Sequence, residues 1–113
     1  MSVQEALDYK ETGYASWYGG TKRRLRTSSG EHINPRTSLT AAHKTLPMPC
    51  KVKVTCLKTG KSVIVRVNNR GPFQSNRLID LTPAAAHRIN LKGRGIGKVR
   101  LEVVSVGDGK YEI

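Results

Sequence analysis

The stretch TGKSVIVRVNNRGPF, residues 59 to 73, decides how this chain folds. Thr-Gly-Lys is a turn. SVIVRV alternates apolar and polar residues with period two, the mark of a strand with one buried face. CKVKVTCL, residues 50 to 57, alternates in the same way just upstream. The two runs and the KTGK turn between them therefore read as a β-hairpin. Directly after the second strand come two amides, Asn68 and Asn69, then Arg70 and a Gly-Pro turn. That is a strand delivering polar groups to a loop, where binding and catalytic residues concentrate.

Outward from the hairpin, the other segments are also short and β-prone. TGYASWYGG, residues 12 to 20, is small and aromatic, and TKRRLRTSSGE, residues 21 to 31, is a basic loop. SLTAAHKTLPMP, residues 38 to 49, holds a short strand or turn before two prolines. RLIDL, residues 77 to 81, precedes Thr82, a good N-cap, and Pro83, suited to the first helical position. A helix is expected over PAAAHRIN, to about Asn90, and a last strand over residues 98 to 106. Residues 1 to 11 are expected as a polar N-terminal tail, frayed or briefly helical, and residues 12 to 113 as one domain. The class is mainly β, a small barrel or sandwich with one short helix.

Composition narrows the partners. The 113 residues carry 20 Lys and Arg against 8 Asp and Glu. Between Thr12 and Leu101 the only acids are Glu31 and Asp80, against eighteen Lys and Arg. Such a surface favours a polyanion: nucleic acid, anionic lipid or an acidic cell-wall polymer. The aromatic and basic residues are not interleaved as in a single-strand binder, which argues against nucleic acid. No run approaches the ~18 apolar residues of a membrane span. No leader of the basic-then-apolar type opens the chain, a pattern that does not exclude export. Cys50 and Cys56 on one continuous strand lie roughly 20 Å apart, too far for a disulfide, so both are expected as buried or semi-buried thiols. No His or Cys cluster has zinc spacing.

Read together, GYASWYG (13 to 19), GE (30 to 31), LTAAHKTLP (39 to 47), the opening stretch, RLIDLTPAAA (77 to 86) and VRLEVVSV (99 to 106) resemble the rare lipoprotein A family. The resemblance implies a six-stranded double-psi β-barrel with one or two short helices. It implies an exported, periplasmic or cell-envelope protein, with any lipid anchor upstream of Met1. It also implies peptidoglycan glycan strands as the partner, a monomer, and no cofactor or metal. Active members are lytic transglycosylases, and some relatives bind glycan without cutting it.

That reaction needs a carboxyl group to protonate the glycosidic oxygen. The same group can then take the proton of the muramic acid C6 hydroxyl, which closes onto C1. Here the chain departs from the pattern, because Asn69 stands where the family has Asp before Arg-Gly-Pro-Phe. An amide has the shape but cannot move a proton. Glu31 and Asp80 match the family's Gly-Glu and Ile-Asp-Leu positions and are the remaining candidates for the acid. The bland alternative for Asp80 is an ion pair with Arg70 or Arg77. His43, within the AAHKTLP motif, is a candidate cleft residue. Tyr18, Phe73 and Lys44 are candidates for holding sugar, as is Arg70, which is expected first to bond the loop backbone; Tyr14 is open between cleft and core, and Trp17 lies on the opposite, core-facing side of its strand.

Overall fold

The computed structural model describes residues 1–17, 25–26, 32–34, 37–73, 76–91, 93 and 95–107. The hairpin forms as expected from β5 (Cys50–Cys56) and β6 (Ser62–Asn69), paired antiparallel from Cys50↔Val67 to Thr55↔Ser62. Gly60, at φ +75°, turns the chain, and its N–H bonds the Cys56 carbonyl at 2.8 Å. Only glycine adopts that φ without strain. Val52, Val54, Val63, Val65 and Val67 all point inward and are buried.

Six strands close around them. Besides the hairpin they are β1 (Lys10–Trp17), β4 (Thr40–His43), β7 (Ile79–Leu81) and β8 (Gly97–Val106). The order around the barrel is β1-β7-β4-β6-β5-β8, so no edge is left open. Two of the pairs, β1 with β7 and β4 with β6, are parallel, which requires the chain to cross over between them. This is the double-psi arrangement. A separate two-stranded ribbon pairs β2 (Leu25–Arg26) with β3 (His32–Ile33).

The helices are short and capped. In α2 (Pro83–Arg88) the Thr82 hydroxyl accepts from Ala85 N–H at 3.4 Å and donates to the Ser38 carbonyl at 2.6 Å. This ties the helix start to the chain entering β4. The expected tail is largely structured. In α1 (Val3–Leu7), Ser2 and Glu5 form a capping box and Ala6 is fully buried. β1 already pairs with β8 at Lys10 and Glu11, so the boundary expected at Thr12 falls inside a strand. Cys50 and Cys56 are buried thiols that are not joined in a disulfide, and burial pushes the Cys50 thiol up to about 11.

Close approach of β1 to β7 depends on Gly13. A Cβ there would sit 3.0 Å from Leu78 Cβ and 3.1 Å from its Cδ2. Gly13→Val is expected to cost about 1–3 kcal/mol through overpacking, read from the urea midpoint. A variant as stable as the parent would show that β7 shifts freely.

Candidate functional site

Strand register assembles the site. Ser16 on β1 opposes Asp80 on β7, Asp80 opposes Ala42 on β4, and Ala42 opposes Asn69 on β6. Directly paired residues share a face of the sheet. The flanks of Asp80, Ile79 and Leu81, are fully buried, so Asp80 points out of the barrel. Ser16, Asp80, Ala42 and Asn69 thus form one row across four strands on the outer surface.

Asn69 joins this row only because β6 is irregular. Val63, Val65 and Val67 point inward, and period two would send residue 69 inward as well. The register shifts between Ala41 and Ala42, which oppose Val67 and Asn69, leaving Asn68 as the extra residue of a bulge. The shift flips the parity, so Asn69 emerges beside Asp80's face while Asn68 is buried. Two strand spacings, roughly 10 Å, separate Asn69 from Asp80 between Cα atoms. Ala42 between them contributes only a methyl group and is itself 2% exposed, so the accessible members of the row are its polar ones.

The Asp80 carboxylate accepts the Ser16 hydroxyl at 3.1 Å. Burial raises its pKa above the ordinary Asp value, and the Ser16 hydrogen bond offsets part of that rise. Neither Arg70 nor Arg77 forms an ion pair with it; the ion pair found among the described residues joins Arg100 and Glu102. The Asn69 side-chain oxygen accepts from Arg70 N–H at 3.0 Å, as an amide holding a turn does. The Arg70 guanidinium reaches back to the Leu46 carbonyl at 2.6 Å and the His43 carbonyl at 3.2 Å. It pins the loop after β4. Phe73 is 88% exposed, a flat apolar ring free to stack on a sugar, and Lys44 is exposed on the loop after β4. Glu31 and Tyr18 lie outside the described residues.

Next to the row runs a groove of about 470 Å³, lined in part by Tyr14, Leu78, Lys44 and Arg77. Tyr14, Leu78 and Lys44 each lie two residues from a member of the row, so the groove continues the same outer face. His43 forms part of its wall and is 3% exposed. Its Nδ1 accepts the N–H groups of Thr45 and Leu46, each at 3.1 Å. The proton therefore sits on Nε2, which donates to Tyr9 Oη at 3.0 Å, and the Tyr9 hydroxyl donates to Glu11 at 2.9 Å. Burial, with Arg70 and Lys44 nearby, lowers the His43 pKa to about 4. This imidazole is a neutral acceptor that shapes the turn.

The sign of that shift gives a pH prediction. An unfolded His takes its proton near pH 6.5, before the folded one does, so His43 withdraws stability as pH falls from about 6.5 through 4. The full effect is up to about 3 kcal/mol. In urea unfolding at pH 7 and pH 4.5, His43→Asn should be less stable at pH 7 and lose less on acidification. Equal losses in parent and variant would remove His43 from the acid response.

Sequence reasoning missed Ser16, Tyr9 and Glu11. Ser16 was legible only through register. Tyr9 and Glu11 fall in the expected tail, because the consecutive polar residues Lys10, Glu11 and Thr12 show no alternation to mark the start of β1. Trp17 packs against the core as expected, and Tyr14, left open between core and cleft, is 47% exposed at the groove.

A family model described as lytic transglycolase matches residues 10–101, which contain the whole row and all of the groove lining except Tyr9. The chain belongs to the lytic transglycolase family. Within it, a Rickettsia typhi protein named endolytic peptidoglycan transglycosylase RlpA is 55% identical over 97 residues, covering 83% of this chain and 30% of the relative. Proteins of the same name from Vibrio cholerae and Neisseria meningitidis are 52% identical over 104 residues and 48% over 103. They are covered over 39% and 43% of their lengths, and this chain over 92% and 91%. The chain thus spans less than half of these transglycosylases. Two solved structures share the fold. The Streptomyces papain inhibitor has a TM-score of 0.70 at 21% identity, covering 87% of this chain and 96% of the inhibitor. A Clavibacter michiganensis expansin in complex with cellohexaose has a TM-score of 0.68 at 15% identity, covering 89% and 53%.

Proposed function

We propose that this chain is the glycan-cleaving module of a peptidoglycan lytic transglycosylase of the cell envelope, with turnover lowered by Asn69. The observation that carries this reading is the outward row, with a half-buried carboxyl of raised pKa on one side of Ala42 and an amide on the other. A glycan strand runs past Asp80, its neighbouring saccharide along the Tyr14–Leu78 groove. Asp80, neutral to higher pH than an ordinary Asp, protonates the glycosidic oxygen. The C6 hydroxyl of the muramic acid closes onto C1 and leaves a 1,6-anhydro end. No water attacks, so the paired carboxylates of a hydrolase are not required. With an amide at position 69, Asp80 both gives and takes the proton in this reading, with Glu31 the other carboxyl of the motif.

A second reading has its own support. The Asn69 amide is engaged with Arg70 N–H, a stable turn in which it needs no proton. In that case the module binds glycan strands without cutting them. The assay is mass spectrometry of purified glycan strands, with and without stem peptides, after incubation with the chain and with Asn69→Asp. Anhydro-muramic ends from either protein support the transglycosylase. Binding without product from both leaves the binding module.

A further inference from the structure

The site occupies β1, β7, β4 and the end of β6. The opposite arc of the barrel is β5 and β8, flanked by β6, and it has a different character. The β5–β6 hairpin, residues 50 to 69, carries Lys51, Lys53, Lys58, Lys61 and Arg66 and no acid. Lys51 and Lys53 alternate with inward valines and are exposed. Lys51 stands directly opposite Arg66, and Lys53 opposite Ile64. Like charges facing across a strand pair are destabilising. On its other side β5 places Lys53 opposite Glu102 of β8 and Lys51 opposite Ser105.

Among these cations the hairpin exposes two large apolar side chains, Leu57 at 43% and Ile64 at 49%. Lys51 and Arg66, with Leu39, Ile64 and Val65, line a depression of about 350 Å³. Acids lie to one side: Glu102 on β8 is held by Arg100 at 3.3 Å, and Glu5 and Asp8 belong to α1, which packs beside β8. Among the described residues, the hairpin is thus a basic stretch free of acids.

We propose that the outer face of the β5–β6 hairpin is a docking surface for an anionic lipid bilayer. The cations meet the lipid phosphates, the depression takes a headgroup, and Ile64 and Leu57 enter the acyl boundary between them. A soluble polyanion would be served by the cations but gains nothing from exposed Ile and Leu, which is why a bilayer fits better. Because β5 lies across the barrel from β7, the domain can rest on a membrane with Asp80 turned away from it.

The test is sedimentation of the chain with vesicles of phosphatidylglycerol and phosphatidylcholine, against phosphatidylcholine alone. Binding should require the anionic lipid and weaken with salt. Each cation removed should lower affinity roughly fivefold, so Lys51→Gln with Lys53→Gln should lower it about twenty-fold. Both side chains are exposed, and an unchanged melting curve confirms that the double variant is folded. Ile64→Ser should weaken vesicle binding several-fold yet leave binding to soluble polyphosphate unchanged. Three results would each overturn the proposal: equal binding to neutral vesicles, no effect of the lysine substitutions, or Ile64→Ser binding vesicles as the parent does. The last, with polyphosphate competing, would assign the face to a soluble polyanion.

Discussion

Asn69→Asp is expected to raise the rate of anhydro-muramic product formation by about 10²–10⁴-fold, the range for a positioned acid or base. The bulge at Asn68 already aims this side chain at the face Asp80 occupies, so substitution changes chemistry without changing placement. Asp has nearly the same shape as Asn and can keep the Arg70 N–H bond at 3.0 Å. That bond favours the ionised carboxylate. Asp80 is pushed the other way by burial. Two carboxyls with pKa values driven apart, across one sugar, give an acid and a base for one reaction. Product from the variant alone would make position 69 the missing group. Equal product from parent and variant would leave Asp80 or Glu31 sufficient. The same mass-spectrometric assay gives either answer.

Asp80→Asn in the Asn69→Asp background should return the rate to baseline while making the protein more stable at neutral pH. The first effect follows from loss of the proton donor. The second follows from linkage. A carboxyl whose folded pKa is raised contributes stability that is complete below its unfolded value and is lost as pH rises through the folded one. At pH 7 ionised Asp80 is a cost, and an amide removes the charge while keeping an acceptor for Ser16. The double variant should therefore melt higher than the single one at pH 7, with the gap closing in acid. Activity surviving in the double variant would move the acid from Asp80 to the carboxyl introduced at position 69 or to Glu31. A lower melting temperature would mean that the Asp80 charge stabilises the barrel.

Much of this fold was legible because its strands alternate cleanly. The hairpin, β8, the Thr82 cap and both thiols all follow from local pattern. The short strands Thr40–His43 and Ile79–Leu81 have too few residues to show a period, and their motifs located them better than their hydrophobicity. The outward row was illegible for a different reason. Ser16, Ala42, Asn69 and Asp80 become neighbours through register, and Asn69 faces outward only through a bulge that no local rule announces. Arg70 was placed among the sugar-binding candidates by its position in the motif. Its bonds to the His43 and Leu46 carbonyls give it a loop to hold, and any contact with glycan would be additional.

The two parallel pairs have a kinetic consequence. Residues 16, 42, 69 and 80 stand in one row only after β1 has met β7 and β4 has met β6, and both are non-local closures. Such contacts form late, once the entropy of closing long loops has been overcome. A nascent or partly opened chain therefore has no half-built catalytic surface to expose. Under the proposed function, cleavage competence belongs to the finished barrel alone, and a module built this way stays harmless until it is whole.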